Sequence, residues 1–118
     1  NPSAKALEQA LRADLAEVSA LVHAHAGPSA PSVAFLEWTD PLFAGGHWIP
    51  DMVALAGGRY VLRESGVPSA LVTPEDLVTA APDVIFVGLC GYDEVKAHAD
   101  AQGLWDHAWW RGLPAVAA

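Results

Sequence analysis

The chain has 118 residues, a size that builds one domain with a real apolar core. Hydrophobic residues make up 53% of it, which excludes intrinsic disorder, and 14 acids against 6 bases give a net charge of -8. That balance excludes a protein that tracks nucleic-acid phosphates or clings to anionic lipid by charge. The lone Cys90 excludes an intrachain disulfide and a cysteine metal cluster. No apolar run of about 18 residues exists to span a bilayer, and no signal peptide is visible. The chain opens on Asn1 rather than methionine, as a processed or trimmed product would.

The first segment reads as a helix of roughly six turns. Asn1 can cap it and Pro2 suits the first helical position, where a missing N–H costs nothing. Leu7, Leu11, Leu15, Val18 and Val22 recur at helical spacing, with Lys5, Glu8, Gln9, Arg12, Asp14 and Glu17 around the rest of the surface. Gly27, Pro28 and Pro31 end the helix and form a stiff connector. Ser32 to Trp38 reads as a strand buried on both faces. Thr39 to Trp48 reads as a loop, marked by Asp40-Pro41 and Gly45-Gly46.

Pro50 starts a short helix that Gly57-Gly58 stops, and Tyr60 to Leu62 form a short strand before a polar loop through Pro68. Thr73-Pro74-Glu75-Asp76 has the composition of a capped helix start. Asp83 to Gly88 is the clearest strand, β-branched and aromatic throughout its interior. Asp93 to Gln102 reads as a helix closed by Gly103, and Trp105 to Trp110 as a last turn or two, with no closing strand or helix after Leu113. Helices alternating with strands predict an α/β fold, a three-layer α/β/α lobe of Rossmann-like type with a parallel central sheet behind a long helix.

Ligands of such sheets sit at loops that follow the carboxyl ends of strands. Two of these loops have binding-site composition. One gathers Trp38, Asp40, Phe43, Gly46, His47 and Trp48, and the other sets Cys90 and Tyr92 between glycines. Glycines admit a ligand close to backbone, and tryptophans offer flat apolar area with one donor. The plainer alternative is that Trp38 and Phe43 are core and the glycines are turns. Cys90 with His47 could form a nucleophile and base, although a lone cysteine at a strand end is usually a small apolar filler. The phosphate-binding glycine fingerprints are absent. His23 and His25, two apart on a helix, point to different sides, so no metal set forms there. Glu75 reads as a first-turn acid that favours the helix dipole, or as an exposed carboxylate able to meet a partner's arginine.

Several stretches together resemble a known family. They are Val33 to Pro50 (VAFLEWTDPLFAGGHWIP), the Met52 to Gly58 run, Val67-Pro68-Ser69, Thr73 to Leu77, Ala81 to Val87 and Gly88 to Asp93. These resemble the substrate-binding proteins of cobalamin and iron-siderophore ABC importers, in the branch of cobalamin-binding proteins. The resemblance implies a two-lobed protein whose lobes are joined by a rigid helix and hold the ligand between them. Residues 1–27 would be that linker helix and 32–118 most of the C-terminal lobe, without the first lobe and without a final strand and helix. Location would be periplasmic or otherwise extracytoplasmic, with a membrane anchor in a longer protein.

The resemblance also implies site roles. Trp38, Asp40, Gly46, His47, Trp48, Cys90 and Tyr92 would face a cobalamin, siderophore or haem-type chelate, bound noncovalently, with no catalysis, no cofactor and no resident metal. Ser69 stands where vitamin-binding relatives can place an aromatic residue. Glu75 would dock on arginines of the ABC permease. Two other readings remain open from the residues themselves: a small α/β enzyme using Cys90 and His47, and a domain that forms homodimers through a sheet edge or the apolar helix stripe.

Overall fold

The computed structural model describes all 118 residues, and the α/β class with a long leading helix is what it contains. Helix α1 (Pro2–His25) begins as its sequence dictates: the Asn1 side chain accepts from the Ser3 amide at 3.0 Å, and Pro2 opens the first turn. None of its residues is buried. Leu7, Leu11, Leu15, Val18 and Leu21 are all about half exposed, so the apolar stripe forms but has no neighbour. Contact with the rest of the chain is made at the last turn, where Val22 sits against Gly57. Gly57 has φ +83°, and a Cβ there would lie 2.3 Å from Val22 Cγ1. Glycine therefore supplies both the turn and the space for the helix to dock. The projecting helix stretches the molecule to 52 × 35 × 27 Å. Its radius of gyration is 16.1 Å, against roughly 13–14 Å for a compact domain of this length.

Strand β1 (Ser32–Thr39) is the centre of a five-stranded sheet. It pairs in parallel with β3 (Arg59–Tyr60) and β5 (Val84–Val87), and antiparallel with β2 (Leu42–Ala44). Val33 is registered with both Tyr60 and Val84, and Leu36 with both Ala44 and Val87, so β5 takes one edge of β1 while β3 and then β2 share the other. A last short strand, β4 (Ala70–Leu71), pairs antiparallel with β2. The parallel centre expected from the alternation is present, and β2 and β4 extend it into a mixed sheet.

The stretch from Thr39 to Trp48, expected as loop, contains β2. Asp40-Pro41 reverses the chain in two residues, with Thr39 opposite Leu42, so the strand turns back on itself. Strands of two or three residues give no periodicity to read, which is why β2 and β4 left no mark in the pattern.

Alternation along β1 divides the core. Ala34 and Leu36 point to one face, where they are completely buried with Leu42, Leu77, Leu104, Trp110 and Leu113. That face is covered by helix α3 (Pro74–Ala80), the 3₁₀ turn Gln102–Asp106 and helix α5 (Ala108–Arg111). Val33 and Phe35 point to the other face, with Val84 and Phe86 of β5 beside them. Only α2 (Ile49–Leu55) covers it, leaving an apolar groove with Phe86 53% exposed. Helix α4 (Glu94–Ala101) follows β5, and the one-turn helix α6 (Pro114–Ala117) closes the chain where no further element was expected. Pro114 stands at its first helical position, where a missing N–H costs nothing.

Candidate functional site

The carboxyl ends of β1 and β5 lie side by side, because Leu36 is opposite Val87 and the Gly88 amide donates to the Leu36 carbonyl at 2.9 Å. Each strand then delivers one aromatic residue to the same place. Trp38 meets Tyr92 edge to face, ring centroids 5.3 Å apart. Lys96 holds its ammonium 4.1 Å from the centre of the Tyr92 ring, an arrangement favoured by the ring's quadrupole. The loop between is fixed from beneath: Leu89 is buried, and Gly91 takes φ +74° to turn the chain. The Asp93 side chain accepts from the Lys96 amide at 2.8 Å, starting α4. Cys90 is exposed in this loop, and Asp40 is exposed at the tip of the β1–β2 turn. Trp38, Asp40, Cys90 and Tyr92 thus share the carboxyl-end rim.

Gly46, His47 and Trp48 do not share it. Strand β2 runs antiparallel to β1, so it carries the Gly-Gly-His-Trp segment back towards the amino end of β1. There the segment is clamped against the loop before β4. The buried Gly46 amide donates to Ser69 Oγ at 2.9 Å, the His47 amide to the Val67 carbonyl at 2.6 Å, and the Gly66 amide to the His47 carbonyl at 2.9 Å. A Cβ on Gly46 would come within 2.5 Å of the Val67–Ser69 backbone, so only glycine fits. His47 takes φ +53° at this clamp, and its ring lies 5.7 Å from that of Trp48, which is 66% exposed. Ser69, singled out by the resemblance, turns its hydroxyl inward to this clamp.

Cys90 follows β5 and His47 follows β2, strands on opposite edges of β1 that run in opposite directions, so the two residues lie at least two strand spacings apart, roughly 10 Å. A nucleophile–base hydrogen bond needs about 3 Å, and this geometry does not provide it.

Tyr60 pins the backbone just before Gly46 to the middle of β1. Its hydroxyl donates to the Gly45 carbonyl at 2.6 Å and approaches the Phe35 carbonyl at 3.2 Å. Burial pushes its pKa up to about 12, because the phenolate would lose its hydration.

Glu75 lies exposed in the first turn of α3. The capping box is closed by its neighbour: Asp76 Oδ2 accepts from the Thr73 amide at 2.8 Å, and Thr73 Oγ1 accepts from the Asp76 amide at 3.1 Å. Glu75 is left to project without a hydrogen-bond or ion-pair partner.

Sequence reasoning passed over Lys96 and the pair Thr39–Asp100, whose side chains hydrogen-bond at 2.5 Å across the rim. Lys96 had a signal, its i,i+4 spacing from Tyr92. Thr39 and Asp100 had none, being 61 residues apart.

Comparison with known proteins agrees with this architecture. The periplasmic binding protein family matches over residues 3–118. An ABC-type Fe3+-hydroxamate transport protein from Saccharomonospora viridis DSM 43017 superposes with TM-score 0.77 at 23% identity, over 97% of this chain and 38% of its own. The periplasmic heme-binding protein from Roseiflexus sp. RS-1 gives 0.73 at 24% identity, over 96% and 43%. The periplasmic vitamin B12 binding protein of Vibrio cholerae gives 0.66 at 25% identity, over 92% and 39%. The chain therefore spans less than half the length of these structures. None of the curated proteins compared matches it. With the family matched along nearly its whole length and the lobe fold reproduced, the chain belongs to the periplasmic binding protein family.

Proposed function

We propose that this chain is the linker helix (residues 1–27) and C-terminal lobe (residues 32–118) of an ABC-importer binding protein. It would capture cobalamin or a related metal chelate, a siderophore or haem, outside the cytoplasm and hand it to a membrane permease. The family match over residues 3–118 carries the reading. The rim supports it: Trp38 and Tyr92 offer apolar area with one indole donor, and Asp40 and Cys90 flank them. Gly46, His47 and Trp48 form a second contact patch lower on the lobe, and the unpartnered Glu75 docks on the permease. The reaction is capture and release without catalysis, in a protein of the periplasm or the outer cell surface, membrane-anchored in its longer form.

The test is a titration of tryptophan emission with cyanocobalamin, haemin and a ferric trihydroxamate, alongside the Trp38→Leu variant. Saturable quenching by one chelate, lost in the variant, supports the reading; no response to any of the three at millimolar ligand sinks it. One lobe offers one wall of a cleft, so weak affinity is expected.

A second reading has its own observation, the uncovered apolar surface of α1 together with the groove over Phe35 and Phe86. Such surface favours a homodimer. Light scattering across concentration separates it: a constant monomer mass removes it.

A further inference from the structure

A cavity of about 440 Å³ lies at the loop that joins β3 to β4 and is lined by Tyr60, Val61, Leu62, Arg63, Glu64 and Val67. Arg63 is half-buried there and held in place, its Nη2 donating to the Pro68 carbonyl at 3.1 Å. Its Nε is buried and has no acceptor. No carboxylate of the chain pairs with this guanidinium, since the one ion pair joins Glu8 to Arg12 on α1. In a chain of 14 acids and 6 bases, a partly desolvated cation without an anion calls for a partner from outside. Asp51, which meets the same loop, is engaged by the Ser65 hydroxyl at 2.7 Å, and the Tyr60 hydroxyl is taken by the Gly45 carbonyl. The backbone adds donors: the amides of Leu62, Arg63 and Glu64, three in succession, donate to no group of the chain.

We infer that this cavity binds the carboxylate of a ligand whose body is apolar. The terminal nitrogens of a guanidinium match the two oxygens of a carboxylate, and the bond to Pro68 holds the fork ready. Successive free amides are the donors from which backbone anion sites are made. Charge decides the class of anion. The only other charge on the wall is the exposed Glu64, so a monoanion is balanced by Arg63 and a phosphate dianion is not. Val61, Leu62 and Val67 supply apolar surface for the body of the ligand. The cavity borders the His47–Trp48 patch, because Gly66 and Val67 of the same loop are bonded to His47. The inference deepens the chelate reading and rests on it for the identity of the body, selecting haem, with its carboxylate arms, over the other two chelates. The carboxylate site itself stands on the cavity alone.

The experiment is an NMR titration of the ¹⁵N-labelled chain with hexanoate, hexanamide and hexyl phosphate, followed at the backbone amides and the arginine Nε. Saturable shifts at Leu62, Arg63 and Glu64 are expected with hexanoate at millimolar concentration. Hexanamide should bind about tenfold more weakly, and hexyl phosphate no more tightly than hexanoate. Arg63→Gln should weaken hexanoate about fivefold. Because that change also breaks the bond to Pro68, Glu64→Gln serves as the second variant. Removing this like charge should tighten hexanoate about twofold and leave hexanamide unchanged. Equal response to hexanamide, tighter binding of hexyl phosphate, or unaltered hexanoate affinity in either variant overturns the inference. Tryptophan quenching by haemin and by its dimethyl ester tests the link to the chelate reading. Equal quenching by both keeps that reading and overturns the choice of haem's carboxylates. Hexanoate binding without quenching by any chelate removes that reading and leaves the carboxylate site standing.

Discussion

Asp83 and Ser32 hold the first residues of β5 and β1 together by a closed set of hydrogen bonds. Asp83 Oδ2 accepts from the Ser32 amide and from Ser32 Oγ, both at 2.7 Å, and the Asp83 amide donates back to Ser32 Oγ at 3.0 Å. The central parallel pair is thereby fixed in register before any side chain of its core is counted. A carboxylate that accepts two such bonds is held in its ionised form, so the Asp83 pKa lies below the ordinary 3.8, chiefly through the Ser32 amide.

The acid sensitivity of the fold follows from this pair. A depressed carboxylate adds stability that is complete above its unfolded pKa and is lost as pH falls through the folded one. Melting temperatures should therefore drop below about pH 4, and Asp83→Asn should flatten that part of the profile while lowering stability at neutral pH. An unchanged acid limb in the variant would show that other carboxylates govern it.

Tyr60 governs the alkaline side. Its pKa of about 12 in the fold exceeds the ordinary 10.0, so the unfolded chain releases the proton first. Stability is complete below 10.0 and declines as pH rises towards 12. Tyr60→Phe should remove this decline and cost about 1 kcal/mol at neutral pH, through the loss of the bond to Gly45. Denaturant midpoints against pH for the two proteins check both.

Gly46→Ala should be among the most damaging single changes, because the added Cβ meets the Val67–Ser69 backbone at 2.5 Å. Overpacking of this kind costs about 1–3 kcal/mol, and backbone cannot rotate away as a side chain would. Gly27→Ala, with nothing near its Cβ, should change stability little. Urea unfolding of both variants gives the contrast.

At the other end of the lobe, Thr73→Ala opens the capping box of α3 and should cost about 1 kcal/mol. Ala81 ends that helix at φ 42°. Ala81→Gly should recover up to about 1 kcal/mol, since the left-handed region costs a residue with a Cβ roughly 1–2 kcal/mol and glycine much less. Thermal melts of the single and double variants would expose any error in either sign.

The rim gives a spectroscopic prediction. Tyr92→Leu removes the ring against Trp38 and should shift tryptophan emission to longer wavelength while costing about 1 kcal/mol. If Trp38 contributes to a chelate site, the same variant should weaken the chelate that quenches emission by roughly fivefold.

Much of the fold was written locally. The Asn1 cap, the long helix, the β1 and β5 runs, and the Thr73 helix start are each set by residues within a few positions of one another, so spacing and capping chemistry specify them. The rim residues Trp38 and Tyr92 were legible for the same reason, since both follow clear strands. The turn chemistry of Asp40-Pro41 was legible, but the strand β2 that follows it was not, because a three-residue strand becomes a strand only by pairing with its neighbour.

What the tertiary structure alone decided is which of these residues meet. The register of β2 separates His47 and Trp48 from Trp38, although they are close in sequence. The crossing of the chain brings Thr39 to Asp100 and gathers Asp40, Asp100 and Trp109 around one cavity. Such meetings depend on long-range pairing, whose geometry is set by the whole sheet and its packed helices, and no local pattern of residues encodes it.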